Sequence, residues 1–354
     1  MEKSSRIYIA GHRGMVGSAL TRFLQKNNFN NLLLRTHSEL NLLNQHDVLE
    51  FFKQEAPEYV FLAAARVGGI IANNTYRADF IYENIAIQSN ILQAAFQYKV
   101  RKLLFLGSSC IYPKNCPQPM KEDYLLSSEL EYTNEPYAVA KICGLKMCEA
   151  FNLQYKTNFI SVMPTNLYGP NDNYNLERSH VLPAMIRKFF LAGLLQNNRL
   201  DLAAHNLSCP SDQVEKTLAA AGVFRDRVIL WGTGTPRREF LHADDLASAC
   251  LFIMLNVNWD TLSAGKQEIR NTHINIGSGV DFSINEIARM TAAAAEYNGK
   301  IEYDTLKPDG TMRKLLDVQK INAMGWKSTI PLKQGIKEVY REYTERYLTV
   351  KKSQ

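Results

Sequence analysis

The chain has 354 residues, 46% of them hydrophobic and 21% charged, with a formal net charge of +6. That length supports one large domain or two lobes with a substantial core, and the composition is that of an ordinary globular protein. So mild a positive charge suits an anionic small ligand and does not point to nucleic acid, and the apolar stretch from Val60 to Ala72 carries Arg66 and is too short to span a bilayer.

The six cysteines, at 110, 116, 143, 148, 209 and 250, form no C-x-x-C pair and no metal-like cluster. They predict a reduced compartment, the cytoplasm, with no disulfide framework and no bound metal. The chain enters a strand-like run almost at once, with no secretory apolar region before it. Part of the positive charge sits in Lys351-Lys352.

Residues 6–10 read as a buried strand, followed by Gly11-His12-Arg13-Gly14-Met15-Val16-Gly17 and an amphipathic helix to about Asn27. Gly11 permits a tight turn, Gly14 close approach to a pyrophosphate, and Gly17 close packing of helix on strand. The free N–H groups of the helix start face the phosphates. A second strand is expected from Asn31 to Arg35. An acidic residue near its end marks a ribose 2′-hydroxyl reader, but here stand Arg35-Thr36-His37, with Arg13 in the glycine loop. Cations suit a 2′-phosphate, which favours NADP(H), with Arg13 the better candidate, since Arg35 reads nearly as well as a solvent-facing residue.

Tyr59–Ala65 is a third strand, Asn74–Tyr98 a helix, and Lys102–Leu106 a fourth strand that delivers Gly107-Ser108-Ser109-Cys110 to its carboxyl end. In open parallel sheets ligands bind at such ends. A proline-marked loop leads to Pro136 at the start of a helix bearing Tyr137 and Lys141. Four residues apart, these two share a helix face. The ammonium is expected to lower the phenol's pKa, and Ser108 to hydrogen-bond the same substrate oxygen. Together they read as machinery for moving a proton on a carbonyl or alcohol while a cofactor moves a hydride. Phe159–Met163 is the next strand, broken by Pro164-Thr165-Asn166-Leu167-Tyr168-Gly169-Pro170. Strands alternating with helices predict an α/β fold, a Rossmann-type doubly wound parallel sheet over 1–170.

The remainder, 171–354, reads as a smaller, discontinuous C-terminal substrate-binding lobe, with segments near 228–256 completing the sheet. A helix is expected from His180 to about Leu194, an insertion near 200–225 with a short helix at 211–221, a strand at Val228–Trp231 and another at His273–Ile276. Ser283–Tyr297 reads as helix, Ile301–Tyr303 as a short strand, and Lys307–Lys314 as a charged loop. His242, Asp244 and Asp245 read as a helix cap and structural groups.

Several runs carry a resemblance. They are Val67-Gly68-Gly69-Ile70-Ile71-Ala72-Asn73-Asn74, Gly107-Ser108-Ser109-Cys110-Ile111-Tyr112-Pro113, Asn134-Glu135-Pro136-Tyr137-Ala138-Val139-Ala140-Lys141, Arg238-Glu239-Phe240-Leu241-His242 and Lys307-Pro308-Asp309-Gly310-Thr311-Met312-Arg313-Lys314. With the glycine loop, they make the chain resemble the extended short-chain dehydrogenase/reductases. Among them it is similar to the GDP-4-keto-6-deoxymannose 3,5-epimerase/4-reductases.

The resemblance implies a GDP-sugar substrate, epimerisation at C3 and C5, NADPH-dependent reduction at C4 to GDP-L-fucose, and a homodimer. It implies catalytic roles for Ser108, Tyr137, Lys141, Cys110 and His180. It assigns the dinucleotide to Gly11, His12, Arg13, Gly14, Met15, Val16, Gly17, Arg35, His37, Lys141, Pro164, Thr165, Asn166, Leu167 and His180. The substrate goes to Lys188, Trp231, Arg238 and Asp309. Read by themselves, several of these have plainer roles: Cys110 as a small buried apolar residue, His180 as a helix cap, Trp231 as core, and Asp309 as a turn residue before Gly310. Colitose-type chemistry differs by one deoxy position and no residue decides against it. A dehydratase is disfavoured, because Ser109-Cys110-Ile111 follows the strand-end Ser where an acidic pair is expected.

Overall fold

A computed structural model describes residues 1–176, 179–307 and 309–348. Pro308 and Lys351-Lys352 lie outside the described residues, as does the side chain of Ile70. In chain order the elements begin with β1 (Ile7–Ala10), α1 (Met15–Lys26), β2 (Leu32–Leu33), α2 (Gln45–Glu55), β3 (Tyr59–Leu62), α3 (Ile70–Thr75), α4 (Arg77–Gln97), β4 (Lys102–Leu106), α5 (Glu135–Tyr155), β5 (Phe159–Pro164) and β6 (Asn166–Tyr168). There follow α6 (Val181–Gln196), α7 (Leu200–Leu207), α8 (Val214–Ala220), β7 (Arg227–Trp231), β8 (Arg237–His242), α9 (Ala243–Asn256) and α10 (Trp259–Ser263). The last are β9 (Ile274–Ile276), β10 (Asp281–Ser283), α11 (Ile284–Ala294), β11 (Lys300–Asp304), β12 (Arg313–Lys314), α12 (Gln319–Ala323) and α13 (Leu332–Leu348).

The chain divides into two compact units. The first comprises Met1–Leu167, Glu239–Val280 and Leu315–Thr329. Its sheet runs β2-β1-β3-β4-β5-β9, with every neighbouring pair parallel. Strand side chains alternate between faces, and both faces are covered. Ile7, Ile9, Phe61, Leu104 and Ile160 join α1 and α9 in one core. Tyr8, Ala10, Val60, Leu103 and Phe105 join α2, α4 and α5 in the other. The chain leaves β2 on one side of β1 and returns in β3 on the other. That reversal is the switch point where open α/β sheets bind ligands.

The second unit comprises Tyr168–Arg238, Asp281–Lys314 and Ile330–Gln354. In it α6 packs on α7 and α11, and α13 on α11 and α7. β7 and β11 form a parallel pair, and β12 lies parallel to the start of β8, Arg313 opposite Arg237 and Lys314 opposite Arg238.

Two expectations are corrected. The expected helix 74–98 is two helices, because Tyr76 leaves helical geometry at φ −104° and ψ 43°. Segment 228–238 belongs to the second unit, and the returning segments are 239–280 and 315–329. The short helix expected at 211–221 is present as α8, with α7 before it, and the two bury Leu202, Val214 and Leu218.

Candidate active site

In the first unit the dinucleotide loop follows from β1. Gly11 turns the chain at φ +84°, and a Cβ there would lie 2.8 Å from the Ala64 backbone. A Cβ on Gly17 would lie 2.1 Å from Gly11 O, so α1 could not approach the strand. At Gly14 a Cβ would meet only Gly11 O, at 3.5 Å, which leaves room above the helix start. That room and the unpaired first turn of α1, which no side chain caps, fit a pyrophosphate. Met15 and Val16 are half-buried and pack on the core beneath, so only their backbone is available to such a group.

The cations expected at the 2′-position differ from one another. Arg13 is exposed. Arg35 is committed elsewhere: its guanidinium pairs with Glu55, donates to Leu34 O at 2.9 Å and lies 5.5 Å from the Phe51 ring centre. His37 is exposed. Glu39, not singled out in the sequence, accepts from Thr36 N and Thr36 Oγ1, both at 2.7 Å. His12 has a buried Nδ1 with no hydrogen-bond partner among the described residues, and burial followed by Arg13 pushes its pKa down.

Pro164 ends β5 opposite Ile276. The Thr165 and Asn166 side chains donate to Glu239 O, at 3.4 and 2.8 Å, and Leu167 packs on the core. This loop therefore offers a dinucleotide mainly its backbone.

At the end of β4, Ser108 is extended at φ −160° and its hydroxyl accepts from Cys110 N at 3.3 Å. A hydroxyl that accepts there keeps its own proton to donate elsewhere. Ser109–Ile111 forms a single 3-10 turn packed against α5. On α5, Lys141 is buried and donates to Leu106 O at 2.9 Å, with its ammonium 5.7 Å from the Tyr137 ring centre. The Tyr137 and Phe80 rings meet near-perpendicular, their centres 6.4 Å apart.

The electrostatics differ from expectation. The Tyr137 phenol is pushed well up, by burial first and then by proximity to Cys110. Burial lowers Lys141 to about 8, against an upward pull from Cys110. The ammonium does not hold the phenol ionised, because desolvation outweighs it. Tyr137 is a protonated phenol, the form that gives up a proton.

In the second unit, His180 stands at the N-cap of α6, but its side chain makes no cap hydrogen bond. Desolvation by the surrounding chain and then Lys314 push its pKa down, so the ring is neutral near pH 7. Lys188 is buried, its ammonium donating to Ile229 O at 3.1 Å, with burial lowering it to about 8. A cation so placed is committed to β7. Trp231 is 58% exposed, which removes the core reading, and the Lys307 ammonium lies 5.5 Å from its ring centre. Asp309 accepts from Thr233 N at 2.9 Å and Thr233 Oγ1 at 2.7 Å, holding the 232–235 turn. Arg238 donates to Arg237 O and is weakened as a base by burial, with Asp309 opposing.

Asp281 bridges Arg237 and Arg313, at 3.0 and 2.5 Å. Strand alternation then sets Arg238 and Lys314 on the other face of the β8–β12 pair. Glu55 and Asp281 carried no local signal: each matters through a partner distant in the chain, whereas Glu39 meets Thr36 three residues away.

The model of the NAD dependent epimerase/dehydratase family matches residues 7–277. The chain belongs to this family. Family members it resembles include the GDP-L-fucose synthase of Escherichia coli (strain K12), 48% identical, with 96% of this chain and 97% of that one covered. The GDP-L-fucose synthase 1 of Arabidopsis thaliana is also 48% identical, over 97% of this chain and 94% of that one. A solved structure of a GDP-mannoheptose C4 reductase from Campylobacter jejuni with NADP bound superimposes with a TM-score of 0.88 at 45% identity, covering 97% of this chain and 99% of the other. The doubly wound sheet of the first unit is the Rossmann-like core expected of the family. No helix among the described residues is long and apolar enough to cross a membrane.

Proposed function

We propose that this protein converts GDP-4-keto-6-deoxymannose into GDP-L-fucose, epimerising C3 and C5 and then reducing C4 with NADPH. The observation that carries this reading is the company of Cys110 with Tyr137 and Lys141. The Cys110 thiol lies near enough to Tyr137 and Lys141 to act on their charge, in a chain nearly half identical to enzymes of that name, and we read it as the acid–base group beside a reductase pair.

The ketone at C4 acidifies the hydrogens on C3 and C5, because the carbanion left by deprotonation spreads into an enolate. Inverting each centre takes a base and an acid, and these are Cys110 and His180. The Ser108 hydroxyl donates to the C4 oxygen as charge develops there. Tyr137 passes its proton to the same oxygen during reduction. When bound, NADPH supplies the hydride. Lys141 binds the cofactor's ribose and keeps a positive charge beside the reacting oxygen.

Arg13 carries the preference for a 2′-phosphate, joined by Arg35 when Glu55 releases it. Arg238 meets the GDP diphosphate, and exposed Trp231 stacks on the base. Asp309 acts by holding the turn beside Trp231, and Lys188 by bracing β7. The protein works in the cytoplasm as a homodimer, which sedimentation tests as twice the chain's mass.

A second reading, a C4 reductase of a GDP-heptose, is favoured by the likeness to the Campylobacter enzyme. The two separate by kcat/KM for NADPH oxidation with GDP-4-keto-6-deoxymannose and with a GDP-4-keto-heptose, each product identified by NMR. GDP-L-fucose as product of the better substrate supports the first reading; preference for the heptose overturns it.

A further inference from the structure

The Ser108–Cys110 turn is weakly held by its own hydrogen bonds. Cys110 N to Ser108 Oγ is 3.3 Å, Ile111 N to Ser108 O is 3.3 Å, and Tyr112 N to Ser109 O is 3.5 Å. All are longer than the usual range for N–H···O bonds. One end of the turn is fixed by β4. The other end is Tyr112, whose ring is buried and whose hydroxyl donates to Asn275 Oδ1 at 2.5 Å and meets His273 Nε2 at 3.0 Å.

The directions of these bonds follow from their surroundings. The Asn275 amide nitrogen is committed to Met120 O at 2.9 Å and Asp317 O at 3.2 Å. Its oxygen therefore faces the phenol and can only accept. The phenol donates to it, so His273 must donate to the phenol through Nε2–H. That leaves His273 Nδ1 as a bare acceptor, and this atom is buried with no hydrogen-bond partner among the described residues. A proton there would add a charge in a buried site beside Lys320 and Lys146, and burial and these lysines hold the imidazole neutral. Asn275 is locked in turn, its backbone N–H donating to Glu122 Oε1 at 3.0 Å. The relay His273 to Tyr112 to Asn275 thus has one direction and ties the far end of the turn to β9.

We propose that Tyr112 is a positioning residue for Cys110, held by Asn275 and His273 so that the thiol and the Ser108 hydroxyl keep one fixed placement on the end of β4. This rests on the proposed epimerase role of Cys110. Without the phenol's two bonds the turn keeps its packing on α5 and its own long hydrogen bonds but loses its anchor to β9, and the placement of Cys110 is held less closely. Proton transfer at carbon suffers, while the dinucleotide loop, built from β1 and α1, does not.

The test is Tyr112→Phe, which keeps the ring and removes only the oxygen. Two readouts are taken on the intact protein. The first is deuterium incorporation at C3 and C5 of GDP-4-keto-6-deoxymannose, expected to fall roughly 10- to 100-fold with the substrate's KM and NADPH affinity unchanged. The second is the rate of Cys110 alkylation by iodoacetamide across pH, read by peptide mass mapping, whose profile is expected to shift. A merely structural tyrosine would leave that profile in place in the folded variant. If wild-type protein exchanges no deuterium, the epimerase reading fails, and the alkylation profile still decides the positioning. Unchanged exchange and an unchanged profile in Tyr112→Phe overturn the proposal. Should that variant fail to fold, His273→Leu removes the donor to the phenol alone and should give the same shift in smaller degree; an unshifted profile there overturns it equally.

Discussion

Lys141 Nζ donates to the main-chain oxygen of Leu106 at 2.9 Å, so the end of β4 and the middle of α5 are joined through one buried ammonium. The strand that carries Ser108 and Cys110 is thereby pinned to the helix that carries Tyr137. Burial lowers this lysine to about 8, below its ordinary value near 10.5. The protonated form is present below that pH and is lost above it. The kcat/KM for NADPH should therefore fall as pH rises through about 8, since this parameter reports the free enzyme. Lys188 is lowered to the same region, so the profile should be repeated in Lys188→Met, where the limb should persist. Lys141→Met should abolish it along with most of the reductase rate.

Tyr137 and Cys110 divide the work. Tyr137→Phe removes the proton donor to the C4 oxygen and should lower reduction by roughly 10²–10⁴-fold, leaving deuterium exchange at C3 and C5 largely intact. Cys110→Ser should do the reverse, since a hydroxyl is a far weaker base than a thiolate. Equal loss of both activities in either variant would show that the roles are not separate.

The pairing of Arg35 with Glu55 bears on cofactor choice. Glu55→Gln releases the guanidinium and should tighten NADPH binding several-fold without changing NADH binding. Arg13→Ala should weaken NADPH binding by about tenfold or more, the worth of one charge-assisted hydrogen bond. Fluorescence titration of each reduced cofactor checks both.

Lys102 is a buried cation outside the site. Its ammonium donates to Ile253 O and Met254 O, at 2.9 and 2.8 Å, capping the end of α9. Lys102→Met strands those carbonyls and should cost about 1–3 kcal/mol in urea unfolding at pH 7. Burial lowers this lysine to about 8. The unfolded chain binds the proton up to its ordinary value, so between these pH values the unfolded state holds more protons. This group's contribution to stability rises with pH there, and the variant should show a flatter profile.

What the sequence made legible was local. The β1–glycine loop–α1 unit rests on alternation and glycine spacing within one short stretch, and Tyr137 and Lys141 share a face because they are four apart on α5. Partners distant in the chain were not legible. Arg35 finds Glu55 twenty residues on, and Asp309 reaches Thr233 across 76 residues to clasp a loop. Lys188 reads as a phosphate ligand because cations pair with phosphates, whereas its burial against Ile229 O is a product of packing alone. The break at Tyr76 has no glycine or proline to announce it. Tyr137 was expected to be acidified by Lys141, and only the packed structure shows that desolvation wins.

The most direct measurement is NADPH oxidation with GDP-4-keto-6-deoxymannose in deuterated water, with the product sugar assigned by NMR. The account predicts GDP-L-fucose carrying deuterium at C3 and C5. NADPH consumption that yields a sugar with hydrogen at both carbons would contradict it, leaving a plain C4 reductase in which Cys110 and His180 serve only structure.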